Sequence, residues 1–393
     1  MNIVIERKKL LESITRVHAI VEKRNIMPIL EHVKIDISHS SISFTTTDLD
    51  ITLQDTFNIE FDSEISFTVA VQPLYDITKK LNTNNVIEFD LSLVDDGKIE
   101  ISAGHSKITI PCLSSHEFPS FETLTDCNAF EVVSGDLRKL FLKTKHAMAS
   151  GDMRYYLNGI NINTNDDNTL TAAATDVHRL AMSSITAPEN LEIPGGVIIP
   201  KKTVSEIVKL TEQLDDKEKL TIHMTENRIS LKVHNTTLVS KLINGKYPNY
   251  NSIFAIKPNK RFSVDVKELS NAIELVSAIA DGKIKIISLS LVGNILTVSS
   301  DNTKDGKASR ASQEIFVESQ FIDEFDNVVE APDEEMSISF LLNAKYPLDV
   351  LSVCNGPRIH FKMSSATAPI IVKDMADPNS TYVLMPMQIE VNN

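Results

Sequence analysis

A period of about 130 residues constrains this chain more than any other feature of it. Three landmarks recur in the same order. A strand leads into a Thr/Ser-Asp corner in ISFTTTDLDITL (Thr47-Asp48), LTAAATDVHRLAM (Thr175-Asp176) and LTVSSDNTKDGKAS (Ser300-Asp301), at spacings of 128 and 125 residues. A proline follows an aromatic or acidic residue near the end of each copy, at Phe118-Pro119, Tyr247-Pro248 and Asp377-Pro378, with 129 and 130 residues between prolines. Each copy opens with a short strand and an amphipathic helix: NIVIERKKLLESITRV, FEVVSGDLRKLFLKTKHAM and FSVDVKELSNAIELVSAI. One such landmark is a coincidence of ordinary elements; three in order at near-constant spacing define a repeat. A chain of 393 residues also exceeds what one core usually serves. Three domains are expected, near 1–126, 127–256 and 257–393.

Within a copy, apolar Leu10, Ile14, Val17 and Val21 mark a helix over residues 6–24. Residues 33–37 and 42–53 alternate with period two and read as strands. VAVQPLYDITKKL holds a second helix, with Pro73 suited to its first turn. Strands follow at 86–91, 98–102 and 107–113, with a turn at Asp95-Asp96-Gly97. The fold class is therefore α+β: three repeated domains, each an antiparallel sheet plus two helices.

A 42% hydrophobic content supports buried cores, and no stretch reaches the roughly 18 apolar residues of a membrane span. The opening MNIVIERKKLLESITRV lacks an apolar signal core, so a cytoplasmic location with no membrane partner is expected. Cys112, Cys127 and Cys354 are odd in number and lack C-x-x-C spacing, which argues against disulfides and zinc.

The net charge of −14 points away from nucleic acid unless it is unevenly spread, and it is. The six helical segments implied by the repeat carry a net +6, leaving −20 on the rest. Residues 6–24 and 135–146 each carry +3, whereas 265–279 carry −2. Basic helices against an acidic background suit a protein whose helices face a polyanion. Arg7, Lys8, Lys9, Arg24, Lys79, Lys80, Arg138, Lys139, Lys143, Lys145, Lys201 and Lys202 form the candidate phosphate-facing set. The alternative is an ordinary solvated face, but repetition across four helices counts against it. No aromatic or Gly-rich base-reading motif accompanies the set, so contact with duplex DNA is expected to be sequence-independent.

Catalytic readings find little. His178 two residues after Asp176 would, in a strand, lie roughly 6.6 Å from it along one face, too far for a ready base–orienter pair. No G-x-x-x-x-G-K-[ST], G-x-G-x-x-G or G-x-S-x-G occurs, and no H-x-x-x-H spacing suggests a metal. No cofactor or catalytic residue is expected. Acid pairs at 95–96, 166–167 and 215–216 read as solvated turns. The competing hypothesis, a nuclease or polymerase subunit using those acids, predicts activity of the isolated chain.

RNIMPIL (24–30), TDLD (47–50), EFPSF (117–121), MRYYLNGI (153–160), ATDVHRLA (174–181), SKLINGKYPNY (240–250) and YVLMPM (382–387) together resemble the bacterial beta sliding clamps. The resemblance spans the whole chain in the family's order. It implies a DNA clamp fold that closes as a head-to-tail ring of two chains, with six domains and twelve helices lining the hole. It further implies a non-catalytic processivity factor that encircles duplex DNA and tethers the alpha subunit of the replicative polymerase. A multi-subunit clamp loader would open the ring. Other polymerases, ligase and mismatch-repair proteins would bind through Gln/Leu/Phe motifs.

By matching motifs, the partner-peptide pocket is expected from Leu157, Thr175, Val177, His178, Arg179, Leu180, Pro248, Ile253, Pro369, Val383, Leu384, Met385, Pro386 and Met387. An apolar socket with adaptable Met side chains suits varied partners. Tyr155 and Tyr156, in MRYYLNGI, join the DNA-facing set through the resemblance. The resemblance also implies a dimer interface where 107–113 of one chain pair with 313–319 of the other, with Lys107, Ile108 and Ile110 facing Glu314, Phe316 and Glu318 beside Ala278 and Ile279; exposed strand edges invite such pairing. Ser252 and Gln388 stand where relatives often carry Arg, Gly151 stands where Gln can occur, and the chain continues through Ile389–Asn393.

Overall fold

The structure is a computed structural model that describes residues 2–22, 27–81, 86–120, 122, 124, 128–189, 191, 193, 196–280, 282, 284–304, 307–330 and 336–388. Arg24, Cys127 and the 389–393 extension lie outside the described residues.

The first repeat runs β1 (Asn2–Glu6), α1 (Arg7–His18), β2 (His32–Ile37), β3 (Ser41–Thr47), β4 (Ile51–Asn58), β5 (Ile65–Ala70), α2 (Val71–Lys80), β6 (Val86–Asp90), β7 (Lys98–Ala103) and β8 (Ser106–Ser114). The middle repeat runs β9 (Asn128–Val133), α3 (Ser134–Thr144), β10 (Gly159–Thr164), β11 (Thr169–Thr175), β12 (Arg179–Thr186), β13 (Val197–Pro200), α4 (Lys201–Thr211), β14 (Lys219–Met224), β15 (Arg228–Val233) and β16 (Thr236–Lys241). The third runs β17 (Lys260–Asp265), α5 (Val266–Ser277), β18 (Ile286–Val292), β19 (Ile295–Lys304), β20 (Lys307–Phe316), β21 (Glu318–Phe321), β22 (Ser337–Asn343), α6 (Lys345–Val353), β23 (Arg358–Met363), β24 (Ile370–Asp374) and β25 (Ser380–Leu384). Each repeat is thus itself double, a strand–helix–three-strand motif used twice, with β21 as an insertion in the third.

Two compact units result, Met1–Ser134 with Lys217–Leu242, and Gly135–Asp216 with Ile243–Asn393. The first holds a twelve-stranded sheet in the order β1-β6-β7-β8-β5-β2-β3-β4-β16-β15-β14-β9. The second holds a nine-stranded sheet, β13-β10-β11-β12-β25-β24-β23-β17-β21, and a four-stranded one, β20-β19-β18-β22. Sequence repeat and compact unit differ because strands of successive repeats pair. β4 pairs β16 with Ile51 opposite Ser240, and β12 pairs β25 with Arg179 opposite Leu384.

The helices follow their apolar stripes. Leu10, Ile14 and Val17 of α1 are fully buried, as are Leu140 and Phe141 of α3. α1 ends at His18, short of the expected 6–24; Val21, the last member of the expected stripe, lies past the helix and is half-buried. The alternating run 42–53 is two strands, broken by the Thr47-Asp48 corner. Ser300-Asp301 is not a corner: it lies inside β19 opposite Ala311 and Arg310. The Asp301 carboxylate binds Arg310 at 3.1 Å instead of capping a turn, so the ten-residue hairpin strands run straight through.

Each junction between repeats contains a buried acid. Asp55 of β4 is 1% exposed and accepts hydrogen bonds from Ser13 Oγ (2.5 Å), Arg16 Nη1 (3.2 Å) and Thr236 Oγ1 (2.5 Å). Asp377, 2% exposed, accepts from Lys139 Nζ (2.9 Å) and Ser380 Oγ (2.8 Å) and faces Lys143 Nζ at 3.5 Å. Burial pushes the Asp377 carboxyl up, but the Lys139 and Ser380 hydrogen bonds and the two ammonium charges outweigh it and hold it below the usual carboxylate range. A carboxyl with a depressed folded pKa stabilises above its unfolded value of 3.8 and loses that contribution as pH falls through the lower folded one. Asp377→Asn is therefore expected to cost about 3–5 kcal/mol at pH 7 by stranding two lysines. The gap between wild type and variant should close as pH falls below the ordinary carboxylate range, measured as urea midpoints from pH 7 to 3.

Candidate functional site

The corner between β11 and β12 is built by its own side chains. Thr175 Oγ1 accepts the Val177 N–H at 3.0 Å and donates to the Arg179 carbonyl at 2.6 Å. Asp176 Oδ1 accepts the N–H groups of His178 and Arg179, both at 3.1 Å. Residues 176–178 therefore form a turn, not the strand that an Asp-x-His pairing would need. The turn places Val177 at φ +78°, unusual for a β-branched residue, and leaves it 50% exposed. Tyr247, outside the residue set expected from sequence, anchors the corner from behind: its hydroxyl accepts the Thr175 N–H at 2.9 Å. The third repeat closes the other side, with Met385 N–H donating to the His178 carbonyl at 3.0 Å and Met387 N–H to the Leu341 carbonyl at 2.8 Å.

Burial sorts the expected pocket residues. Leu157 (1%), Leu180 (2%), Val383 (1%) and Leu384 (0%) are inside the fold, so they form a floor rather than an accessible wall. Val177, His178 and Pro248 are exposed, while Ile253, Pro369, Met385, Pro386 and Met387 are half-buried. These are the side chains a ligand could touch. Arg179 is a strut: buried, it binds Asp176 Oδ2 (3.0 Å) and Asp349 Oδ2 (2.5 Å) with its guanidinium 4.6 Å from the Tyr346 ring centre. His178 stacks on the same ring at 6.4 Å. Below, burial and the Arg179 charge push His146 down to about 4, so it is neutral at pH 7.

The basic set divides in the same way. Lys8, Lys9, Lys79, Lys80 and Lys201 are exposed; Lys145 and Lys202 are half-buried. Burial, then the charges of Lys345 and Arg179, hold Lys201 below the ordinary lysine range. Arg7 is turned onto the carbonyls of Thr78 (3.0 Å) and Lys79 (2.8 Å), satisfying the end of α2. Arg138 likewise donates to the Thr211 carbonyl at the end of α4 (2.6 Å) and pairs with Asp216. Lys143 does not belong in the phosphate-facing set. It is 4% exposed, and its ammonium is held by Asp377 and the Val353 carbonyl, because a buried charge must be paired. Lys139 is partly committed to Asp377 as well. Tyr155 is 58% exposed and meets Tyr156 edge-on at 5.9 Å, while Tyr156 packs on the cluster of Leu157, Ile198 and Tyr247.

Both strands expected at a dimer interface have unpaired edges among the described residues. β8 pairs β7 over 106–111 but β5 only over 112–114, and β20 pairs β19 alone. Phe316 is 74% exposed, opposite Ile295 at 47%. Ile108 is half-buried, Ile110 is buried, Glu314 and Ala278 are exposed, and Ile279 is half-buried. Lys107 and Glu318 are exposed but have local partners, Glu100 at 3.0 Å and Arg358 at 3.1 Å.

Repeated sheets joined edge to edge, carrying basic helices and a ligand-accessible apolar corner, define a scaffold that holds other macromolecules. Family models for the N-terminal, central and C-terminal domains of the DNA polymerase III beta subunit match residues 1–122, 131–249 and 251–388. The beta sliding clamp of Caulobacter vibrioides is 30% identical over 392 residues, covering 99% of this chain and all of the relative. Solved structures of the same kind include the DNA polymerase III subunit beta from Pseudomonas aeruginosa (28% identity, TM-score 0.86) and a sliding clamp from Bartonella birtlesii bound to griselimycin (29%, 0.87). Each of these comparisons covers 99% of this chain and 100% of the other. The chain belongs to the DNA polymerase III beta subunit family, the bacterial sliding clamps. Its function is that of a DNA sliding clamp, a non-catalytic processivity subunit. Among the described residues, no helix is long and apolar enough to cross a membrane.

The division into floor and wall has a direct test. Leu180→Asp buries an unpaired carboxylate and is expected to cost about 3–5 kcal/mol of stability. Val177→Gly removes a side chain from a left-handed position, offsetting the extra freedom of glycine in the unfolded chain, about 0.4–1 kcal/mol. Thermal melts should show a large loss for the first and an unchanged or raised midpoint for the second.

Proposed function

We propose that two of these chains close head to tail around duplex DNA, and that partners dock a short linear peptide on the Val177–Met385–Met387 surface. The observation that carries the peptide site is an apolar surface on a corner held rigid from both sides, by Tyr247 behind and the Met385–Met387 segment in front. The ring rests on two unpaired strand edges, 106–111 and β20, with the exposed Phe316 beside the second. Such edges invite pairing, and a heterologous contact closes when its rotation fits. The domains divide near 1–126, 127–256 and 257–393. The exposed lysines of α1, α2 and α4 face the phosphates. The peptide-bearing partners are the polymerase alpha subunit, the clamp loader, other polymerases, ligase and mismatch-repair proteins, all in the cytoplasm.

Topology separates encirclement from adhesion. Loaded protein is expected to stay on closed circular DNA and to run off once that DNA is cut; equal retention on both forms would overturn the ring. Phe316→Asp should give monomers by light scattering with an unchanged circular dichroism spectrum, since Phe316 is already exposed. For the pocket, a Gln-Leu-x-Leu-Phe peptide titrated by calorimetry should lose about 1–3 kcal/mol on Val177→Asp or Met387→Ala, with the dimer retained. Wild-type affinity in both variants would move the site elsewhere.

A further inference from the structure

The chain builds its peptide corner twice. At the first junction, Thr47 Oγ1 accepts the Leu49 N–H at 3.0 Å and donates to the Ile51 carbonyl at 3.1 Å. Asp48 Oδ1 accepts from Asp50 (3.0 Å) and Ile51 (2.8 Å). Leu49 sits at φ +79°, as Val177 sits at +78°, and is 44% exposed. The next repeat closes the corner by the same bond, Lys241 N–H to the Asp50 carbonyl at 2.8 Å, where the second junction has Met385 to His178. Pro119 follows buried Phe118 as Pro248 follows buried Tyr247.

Between these parts lies a cleft of about 320 Å³ whose lining includes Leu49, Pro119, Val239, Arg228 and Lys241. By strand register, Thr52, Ser240 and Lys241 occupy the places of Leu180, Leu384 and Met385. Arg228, opposite Lys241 on the neighbouring strand, takes the place that Pro369 takes beyond the Ile370–Leu384 pair. The same geometry has thus exchanged apolar lining for polar and cationic lining. Two cations directly opposite each other across a strand pair repel. Here each is neutralised by an acid from another segment, Glu122 on Arg228 at 3.4 Å and Asp50 on Lys241 at 3.1 Å. All four side chains are 39–77% exposed, so these ion pairs are weak and exchangeable.

We propose that this cleft is a second peptide site, selective for an extended segment with an aliphatic side chain next to a carboxylate. The aliphatic group packs on Leu49 and Pro119, and the carboxylate displaces Glu122 or Asp50 from the paired cations. The two cations and two acids at the rim cancel, which suits a single carboxylate exchanging with one acid beside an aliphatic group better than the dense charge of a polyphosphate chain. The proposal extends the reading that the Val177 corner takes a peptide, and its test is separable from that reading.

The full-length protein is titrated by fluorescence anisotropy with labelled Ser-Asp-Leu-Glu-Leu, blocked at both ends, and with its Asn/Gln counterpart. Saturable binding of the acidic peptide is expected, roughly tenfold weaker on Lys241→Ala, as fits the loss of a charged hydrogen bond. Leu49→Gly, which suits the left-handed backbone, should weaken it similarly without loss of fold. Saturating Gln-Leu-x-Leu-Phe peptide and Val177→Gly should leave it unchanged. Absence of saturable binding, equal binding of the neutral peptide, insensitivity to both first-junction variants, or displacement by the Gln-Leu-x-Leu-Phe peptide would each overturn the second site. Failure of the Gln-Leu-x-Leu-Phe peptide itself to bind would instead count against the Val177 pocket.

Discussion

Pairing of the last strand of one repeat with an inner strand of the repeat before it is the constraint on which the remaining structure hangs. β16 lies on β4 and β25 on β12, and each seam is sealed underneath by a buried acid that a helix base neutralises. The two seals are related but not identical. Alignment of the buried stripes of α1 and α3 puts Arg16 and Lys143 at equivalent positions, and strand register makes Thr236 and Ser380 equivalent hydroxyls. In the first seam the acid comes from the earlier repeat, as Asp55; in the second it comes from the later one, as Asp377. The shared requirement is a fully paired charge, since a buried carboxylate without a partner costs far more than lost packing. Either repeat can supply the acid, from strand β4 or from the loop before β25, provided the helix supplies the base.

The corner follows from the seam. Where the two paired strands end, the earlier repeat must reverse direction within three residues, and Thr and Asp side chains supply the hydrogen bonds that a backbone turn there lacks. The reversal forces one side chain into the left-handed region and outward. That residue is Leu49 in one repeat and Val177 in the next, aliphatic in both. A strained, exposed aliphatic residue kept in place by four local hydrogen bonds is poor economy for folding alone. It fits the proposal that the residue is a contact surface whose orientation matters.

The repeat, the helices and the Thr-Asp corners at 47–48 and 175–176 were legible in the sequence because they depend on local chemistry: apolar periodicity, and Thr-Asp placed before a strand. The third corner misled, because Ser300-Asp301 has the right letters but a partner strand that carries Arg310 opposite the acid. The proposed pocket could be read from the sequence as a set of residues but not as a surface. Leu180, Leu384 and Met385 are similar apolar letters, and only strand pairing decides that the first two are floor and the third is wall. Lys143 and Lys8 are likewise identical in sequence terms; which charge is already spent depends on a carboxylate more than 200 positions away. Tyr247 was visible only as the aromatic residue before a repeated proline, which marks position without revealing that its hydroxyl supports the corner.

That division of the cations bears on how an acidic chain can hold DNA without gripping it. Arg7, Arg16, Arg138 and Arg179 are each committed to carbonyls or carboxylates inside the fold. The cations left exposed on α1, α2 and α4 are all lysines: Lys8, Lys9, Lys79, Lys80, Lys201 and Lys209, the last paired with Glu206. A guanidinium is a rigid fork that fixes a phosphate in two directions, whereas an ammonium on a flexible stem is a mobile point charge. On the helices proposed to face the phosphates, keeping the forks of Arg7, Arg16 and Arg138 in the structure and the point charges outside would give attraction that is long-ranged, screened by salt and indifferent to register. Phosphate contacts of that kind carry no sequence information and little resistance to translation along the duplex. In the proposed ring, retention comes from topology, with the two unpaired strand edges as its closure, and not from contact strength.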